Sequence, residues 1–214
     1  ITAAGSFNMI NKNVLATQNG ITYNQLAKNL GIKTINNPKY HWTVEFTMPG
    51  NFDSIENNLE VRELENGVSG PKVFTKIQPG SNDKLVKIIP LNRGYEFGKT
   101  YRIIVGDRTK SQSNLNIKRK VIMDFKVEDK ISAIVDLEVA KIMPMFKKIR
   151  VTTNTANVVK FKIEGNKNYF DINKEAITLA QNDSKIYFYD ENLELLGESN
   201  INLETTGTFN ITAK

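Results

Sequence analysis

The stretch Tyr40-His41-Trp42-Thr43-Val44-Glu45-Phe46-Thr47-Met48-Pro49 does most to limit what this chain can fold into. Trp42, Val44, Phe46 and Met48 alternate with Thr43, Glu45 and Thr47, and a proline stops the run. Alternation with period two marks a strand with one buried face, because successive side chains leave a pleated backbone on opposite sides. The single tryptophan of the chain stands on the apolar side of that strand. A side chain of that size needs a second layer to cover it, so Trp42 is expected between two packed sheets.

Short strands separated by turn residues fill the text that follows. Leu59 to Leu64 alternates cleanly and runs into Asn66-Gly67, a dipeptide suited to a tight hairpin because both residues tolerate positive φ. Val73 to Ile77, Leu85 to Ile89, Tyr101 to Val105 and Val121 to Val127 read as further strands, with Pro79-Gly80-Ser81-Asn82-Asp83 among the turns. Strands recurring every 8–12 residues or so, punctuated by Gly, Pro and Asn, predict a β-sandwich. The C-terminal part repeats the pattern at Lys148 to Thr153, Val158 to Glu164, Ile177 to Ala180, Lys185 to Tyr189 and Thr208 to Ile211. Ile131 to Met145 reads as an apolar crossover plus the first strand of a second sandwich, and Asn173 to Gln181 is ambiguous between helix and strand.

Within residues 39–128 the order Trp42-Thr43-Val44-x-Phe46-x-x-Pro49, Ile89-Pro90, Tyr95-x-x-Gly98-x-x-Tyr101 and Phe125 resembles the bacterial Ig-like domains of S-layer and cell-surface proteins. In that family a Ser/Gly-rich loop ending in leucine follows the Tyr-x-x-Gly-x-x-Tyr segment. Ser111-Gln112-Ser113-Asn114-Leu115 stands there in this chain without the glycine. The resemblance implies a fold and a surface location, and its motifs are structural. The expected architecture is mainly β: two Ig-like β-sandwich domains in tandem with one short N-terminal helix. The boundaries are a segment 1–38 packed on a sandwich, a first sandwich 39–129 and a second 130–214.

The helix is expected over residues 22–30. Thr22 suits the cap, Gln25 stands where a capping-box partner belongs, and Gly31 can close the last turn. Tyr23, Leu26, Ala27 and Leu30 then form one apolar stripe. Leu26-Ala27-x-x-Leu30-Gly31-Ile32 also resembles the opening of a helix-turn-helix, but Pro38 arrives too early for a recognition helix. A docked cap helix is the preferred reading, and a nucleic-acid-binding regulator through residues 22–35 is the alternative.

Chemistry is narrowed by what is missing. There is no cysteine, so neither a disulfide framework nor a thiolate metal site can form, and His41 is the sole histidine, which excludes His-based triads and clusters. Asp190, Glu191 and Glu194 cluster without EF-hand spacing and read as a solvated turn; Asp124, Glu128 and Asp129 carry the same bland expectation. No Gly-rich phosphate loop, nucleophile elbow or paired catalytic carboxylate motif appears, so no enzyme, cofactor or metal is expected.

The balance of 29 basic to 23 acidic residues gives a net charge of +6, and the basic residues are densest at Arg102, Arg108, Lys110, Lys118, Arg119 and Lys120. Arg108, Lys110, Lys118 and Arg119 are the candidate site for an anionic polymer; a charged rim that protects sheet edges is the competing explanation. Tyr169-Phe170 and Tyr187-Phe188-Tyr189 put a ring on each face of their strands, and the pattern alone leaves open which side is inside. Ile1-Thr2-Ala3-Ala4-Gly5 reads as the end left by signal-peptide removal or as an arbitrary boundary, the first being the expectation.

The functional expectation is a non-enzymatic exported or cell-surface module serving adhesion, wall attachment or spacing. Its partners would be a cell-wall polymer, a glycan or another surface protein. A carbohydrate-binding accessory module remains a further alternative.

Overall fold

Alternation of buried and exposed side chains runs through most strands of the computed structural model, which describes residues 27–139, 146–179, 183–204 and 206–214 together with three short strands before them. Two units divide the chain: one holds Asn37–Val127 and the strands before residue 34, the other Thr34–Asn36 and Glu128–Lys214.

The first unit begins with β1 (Ser6–Asn8), β2 (Thr17–Gln18), β3 (Ile21–Thr22) and β4 (Lys28–Ile35), whose last two residues belong to the second unit. It continues with β5 (Trp42–Glu45), α1 (Phe52–Asn58), β6 (Leu59–Glu65), β7 (Val68–Val73), β8 (Thr75–Pro79), β9 (Leu85–Pro90), β10 (Thr100–Val105) and β11 (Val121–Val127). One sheet has the order β1-β5-β9-β8 and the other β4-β11-β10-β6-β7. Neighbours are antiparallel except at the N-terminal strands. β1 runs parallel to β5, and β4 runs with β11, as the bonds from Lys28 N to Lys120 O and from Glu128 N to Ile35 O require.

The sheets meet on an aromatic cluster. Trp42, fully buried, lies with its ring centroid 5.0 Å from that of Phe125, and Tyr95 and Tyr101 sit 4.9 Å and 5.3 Å from the same phenyl ring. Such pairs add roughly 0.5–1.5 kcal/mol each beyond the burial of their area. Val44, Val86, Ile88, Val61, Ile103, Val121 and Met123 complete the packing, so the interior is filled by side chains of both layers. The Tyr101 hydroxyl accepts the backbone N–H of Glu96 at 2.9 Å, tying the connection before β10 to the strand.

The second unit comprises β12 (Ile131–Val139), β13 (Phe146–Thr153), β14 (Lys160–Ile163), β15 (Phe170–Asp171), β16 (Glu175–Leu179), β17 (Asp183–Tyr189), β18 (Leu195–Asn202) and β19 (Gly207–Ala213). Its sheets have the orders β16-β13-β12-β19 and β15-β14-β17-β18. Ile131, Val135, Ile149 and Val151 from one face Phe161, Ile163, Ile186 and Phe188 from the other, all fully buried in one core. Thr34–Asn36 joins this unit through backbone bonds from Thr34 N to Asn154 O and from Ala156 N to Thr34 O, and through the paired side-chain amides of Asn36 and Asn157.

The mainly β expectation stands, and with it the burial of Trp42. The helix at 22–30 does not. Residues 21–22 and 28–30 are strand, and 23–26 lie outside the described residues. β-branched Ile32, Thr34 and Ile35 favour an extended chain, and β11 offers the backbone partners; the left-handed Gly31 (φ +86°), which could equally have closed a helix, lies within the strand. With the helix goes the helix-turn reading of 22–35. The only helix among the described residues is α1, whose Asn51 cap accepts the N–H of Ser54 and whose buried Ile55 docks it.

Other corrections are local. Met48 is 41% exposed because β5 ends at Glu45, and the expected strand at 73–77 divides at Phe74 into β7 and β8. Residues 131–139 are a full strand, and the ambiguous 173–181 stretch holds strand β16. Gly197 lies inside β18, where a Cβ would come 3.3 Å from Ile131 Cδ1 and from Lys214 O.

Candidate functional site

The register of the first unit brings three connections to one end of its sandwich. Glu45, the last residue of β5, pairs with Leu85, the first of β9, and Leu59 at the start of β6 pairs with Val105 at the end of β10. The 46–58 connection, the 80–84 turn and the 106–120 loop therefore emerge together.

Backbone hydrogen bonds lace them. Gly50 N donates to Asp83 O at 2.8 Å, Asn51 N to Lys110 O at 3.0 Å and Gln112 N to Pro49 O at 2.9 Å. The Ser54 hydroxyl donates to Arg108 O and accepts from Lys110 N at 2.9 Å, so one side chain of α1 clamps the base of the long loop. The loop itself is a small ladder: Lys110 bridges Asn116, Ile117 N donates to Thr109 O, and Asn114 turns the tip at φ 59°. Asparagine adopts this left-handed conformation more readily than most residues, which is how the loop dispenses with the glycine missing from its tip.

The ladder sets the direction of the cations. Thr109 is buried and Ile117 half-buried, so Arg108 and Lys110 on one arm and Lys118 on the other fall on the opposite, solvent side of the pleat. Arg108, Lys118, Arg119 and Lys120 are exposed and Lys110 is half-buried, and none has an ion-pair partner among the described residues. Arg102 does not belong with them. It grips Asp124 with two bonds of 2.7 and 2.9 Å on the adjacent strands, which raises its own pKa and removes it from any free patch.

Beside the basic loop lies an open depression of about 410 Å³ lined by Gly50, Asn51, Phe52, Asp53, Asn82, Asp83, Leu85 and Gln112, among others. Its floor depends on Gly50, where an added Cβ would lie 2.3 Å from Ile55 Cδ1. The sequence marked Asn82 and Asp83 as turn residues and Leu85 as the start of a strand; that these residues share one hollow follows from strand register. The mixed amide, carboxylate and apolar lining suits recognition of a polar chain.

His41 is exposed. Asp190 spends one carboxylate oxygen on the N–H groups of Asn192 and Glu194, both at 2.9 Å, which makes the acidic cluster a self-capped turn. No group of three or more His, Cys, Asp or Glu positioned for a metal occurs among the described residues.

The fold is that of a mainly β protein with two sandwich units. No protein-family model matches the chain, and no curated protein matches it. Among solved structures the chain is similar to the N-terminal part of the bacterial S-layer protein SbsC, with 13% identity and a TM-score of 0.36 over 84% of this chain and 45% of that one. A longer SbsC chain shows 11% identity and a TM-score of 0.37 over 83% of this chain and 26% of its own. The chain thus spans less than half the length of either. No helix among the described residues is long and apolar enough to cross a membrane.

Proposed function

We propose that the chain is a non-enzymatic, exported module of a bacterial cell surface, built of Ig-like sandwich domains at 39–129 and 130–214, which holds an anionic wall polymer at the 106–120 loop. The observation that carries this reading is the clustering of unpaired cations on one loop: Arg108, Lys110, Lys118 and Arg119 have no ion-pair partner among the described residues, whereas other unpaired cations of this unit, such as Lys72, Lys76 and Lys87, are spread over separate strands, and Arg62, Lys99 and Arg102 have carboxylate partners. Edge protection is a weaker explanation, since these residues sit on a loop beyond the sheet rather than along edge strand β7 or β8. The Ig-like assignment is supported by the consecutive strands that change sheets and by the Tyr101 hydroxyl bond to the backbone five residues upstream, a feature of such sandwiches.

The test is co-sedimentation with purified cell-wall material at low and high salt, for the natural chain and for the triple variant Arg108→Ala, Lys118→Ala, Arg119→Ala. Three screened contacts of about 0.5 kcal/mol each amount to a loss of roughly tenfold at low salt, fading as salt rises. Equal sedimentation of both chains at low salt removes the loop from the account. Recovery of the protein only from the cytosol would overturn the surface assignment.

A further inference from the structure

The second unit carries a surface that the loop reading does not use. Along β14 and β17, Phe161, Ile163, Ile186 and Phe188 point into the core, which leaves Lys160, Lys162, Tyr187 and Tyr189 on the outer face. Register sets Lys160 opposite Tyr189 and Lys162 opposite Tyr187, a two-by-two lattice of ammonium groups and phenol rings. Tyr169 extends it: its ring meets that of Tyr189 edge to face at 5.0 Å and 82°, and Lys162 Nζ stands 5.2 Å from its centroid.

We propose that this outer face binds an acidic polysaccharide, with the tyrosine rings stacking on sugar rings and Lys162 pairing with their carboxylates.

Charge argues for an anion. Lys160 and Lys174 share the single carboxylate of Asp171, each at 2.7 Å, and Lys162 has no acidic partner among the described residues. Three cations stand against one carboxylate beside the rings. Further along, Lys185 faces two carboxylates, Glu198 at 2.9 Å and Glu164, so the cationic excess lies at the Lys160, Lys162 and Lys174 end of the face. Chemistry argues for sugar. A pyranose offers a flat C–H face to an aromatic ring and hydroxyls to phenols, and amphipathic tyrosine meets both needs at little entropic cost. Burial holds the Tyr189 phenol protonated, so it can donate as well as accept. A single-stranded nucleic acid also stacks on aromatic rings, but it carries a phosphate at every residue and calls for a denser basic groove.

The test uses the full chain, with polygalacturonate as the acidic probe, its fully methyl-esterified form as the neutral one, and a single-stranded oligonucleotide as competitor. Circular dichroism and unfolding midpoints confirm that each variant is folded. Lys162→Gln and Tyr187→Ala are expected to weaken binding of polygalacturonate about tenfold each, and Tyr187→Phe to retain most of it. Asp171→Asn, which releases two lysines, should tighten it, an effect no purely structural role would give. Because the 106–120 loop is itself proposed to take an anionic polymer, each variant is also measured in the Arg108→Ala, Lys118→Ala, Arg119→Ala background, where the losses at Lys162 and Tyr187 should persist. Undiminished binding in Lys162→Gln, equal affinity for the neutral probe, or displacement by the oligonucleotide would each overturn the proposal. Loss on loop substitution alone would transfer the acidic polysaccharide to the first unit and equally overturn it.

Discussion

The indole of Trp42 on one sheet and the phenyl ring of Phe125 on the other are tilted by 50° with centroids 5.0 Å apart, and neither ring reaches solvent. The two sheets of the first unit are joined through this contact. Trp42→Ala leaves a cavity between them and is expected to cost about 3–5 kcal/mol, read as a lower denaturant midpoint in urea unfolding with little change in slope. Trp42→Phe, which keeps a ring and also deletes a buried indole N–H that has no partner among the described residues, should cost clearly less. Equal losses from the two substitutions would show that ring packing is not what holds the sheets together.

Tyr95 and Tyr101, 5.1 Å apart, should respond oppositely to loss of the hydroxyl. Tyr101→Phe orphans the N–H of Glu96 and is expected to cost about 1 kcal/mol. The Tyr95 hydroxyl is buried with no hydrogen-bond partner among the described residues, so Tyr95→Phe should be neutral or stabilising. Burial also raises the Tyr95 pKa above its unfolded value of about 10. A raised folded-state pKa stabilises fully below the unfolded value and is lost above it, so stability should fall as pH climbs past about 10. Tyr95→Phe should soften that fall, and chemical denaturation across the alkaline range measures it.

Two glycines with nearly the same backbone should differ in tolerance. Gly94 (φ +81°) and Gly67 (φ +80°) both occupy the left-handed region, where alanine is strained by about 1 kcal/mol. At Gly67 a Cβ meets nothing, whereas at Gly94 it would come 2.4 Å from the carbonyl oxygen of Pro38, which also accepts the Tyr95 N–H. Gly67→Ala should lower stability by about 1 kcal/mol and Gly94→Ala by roughly 3 kcal/mol or more, measured as thermal midpoints.

Hydrogen bonds from Lys160 and Lys174 hold the Asp171 carboxylate down to about 2. A lowered pKa stabilises above the unfolded value of about 3.9 and is lost as pH falls through the folded one, which places the loss between about pH 4 and pH 2. The side chain is 40% exposed, so solvent screening limits the effect to a few tenths of a kcal/mol up to about 1. Asp171→Asn should lower stability by that amount near neutrality and converge with the natural chain below about pH 2, which flattens this segment of the acid-unfolding curve.

The strands at 59–65, 85–90, 101–105 and 121–127 were legible because alternation is a property of each residue and its neighbours alone. So was the Asn66-Gly67 turn, whose residues show φ 51° and 80°, as that hairpin type demands. The 22–30 stretch misled for the complementary reason. Four apolar residues at helical spacing are too few to outweigh a backbone partner, and the ladder with β11 lies nearly a hundred positions away in the chain.

The cations of the candidate loop could be counted from the sequence, but not which of them were free. Arg102 and Lys118 look alike in the text, and only the pairing of β10 with β11 sets Asp124 beside the first. The same holds for Tyr187-Phe188-Tyr189, three rings in succession with no polar residue to betray the inner face. Phe161 and Ile163, arriving from β14, place Phe188 in the core, and the tyrosines turn to the outer face, half-buried, as a consequence. By itself the sequence determined that the chain would form strands, where several of them turn, and that cysteine and histidine chemistry is closed to it. The tertiary structure decided which face of each strand is buried, which charges are paired and which loops converge, because each depends on register between segments far apart, and nothing local encodes it.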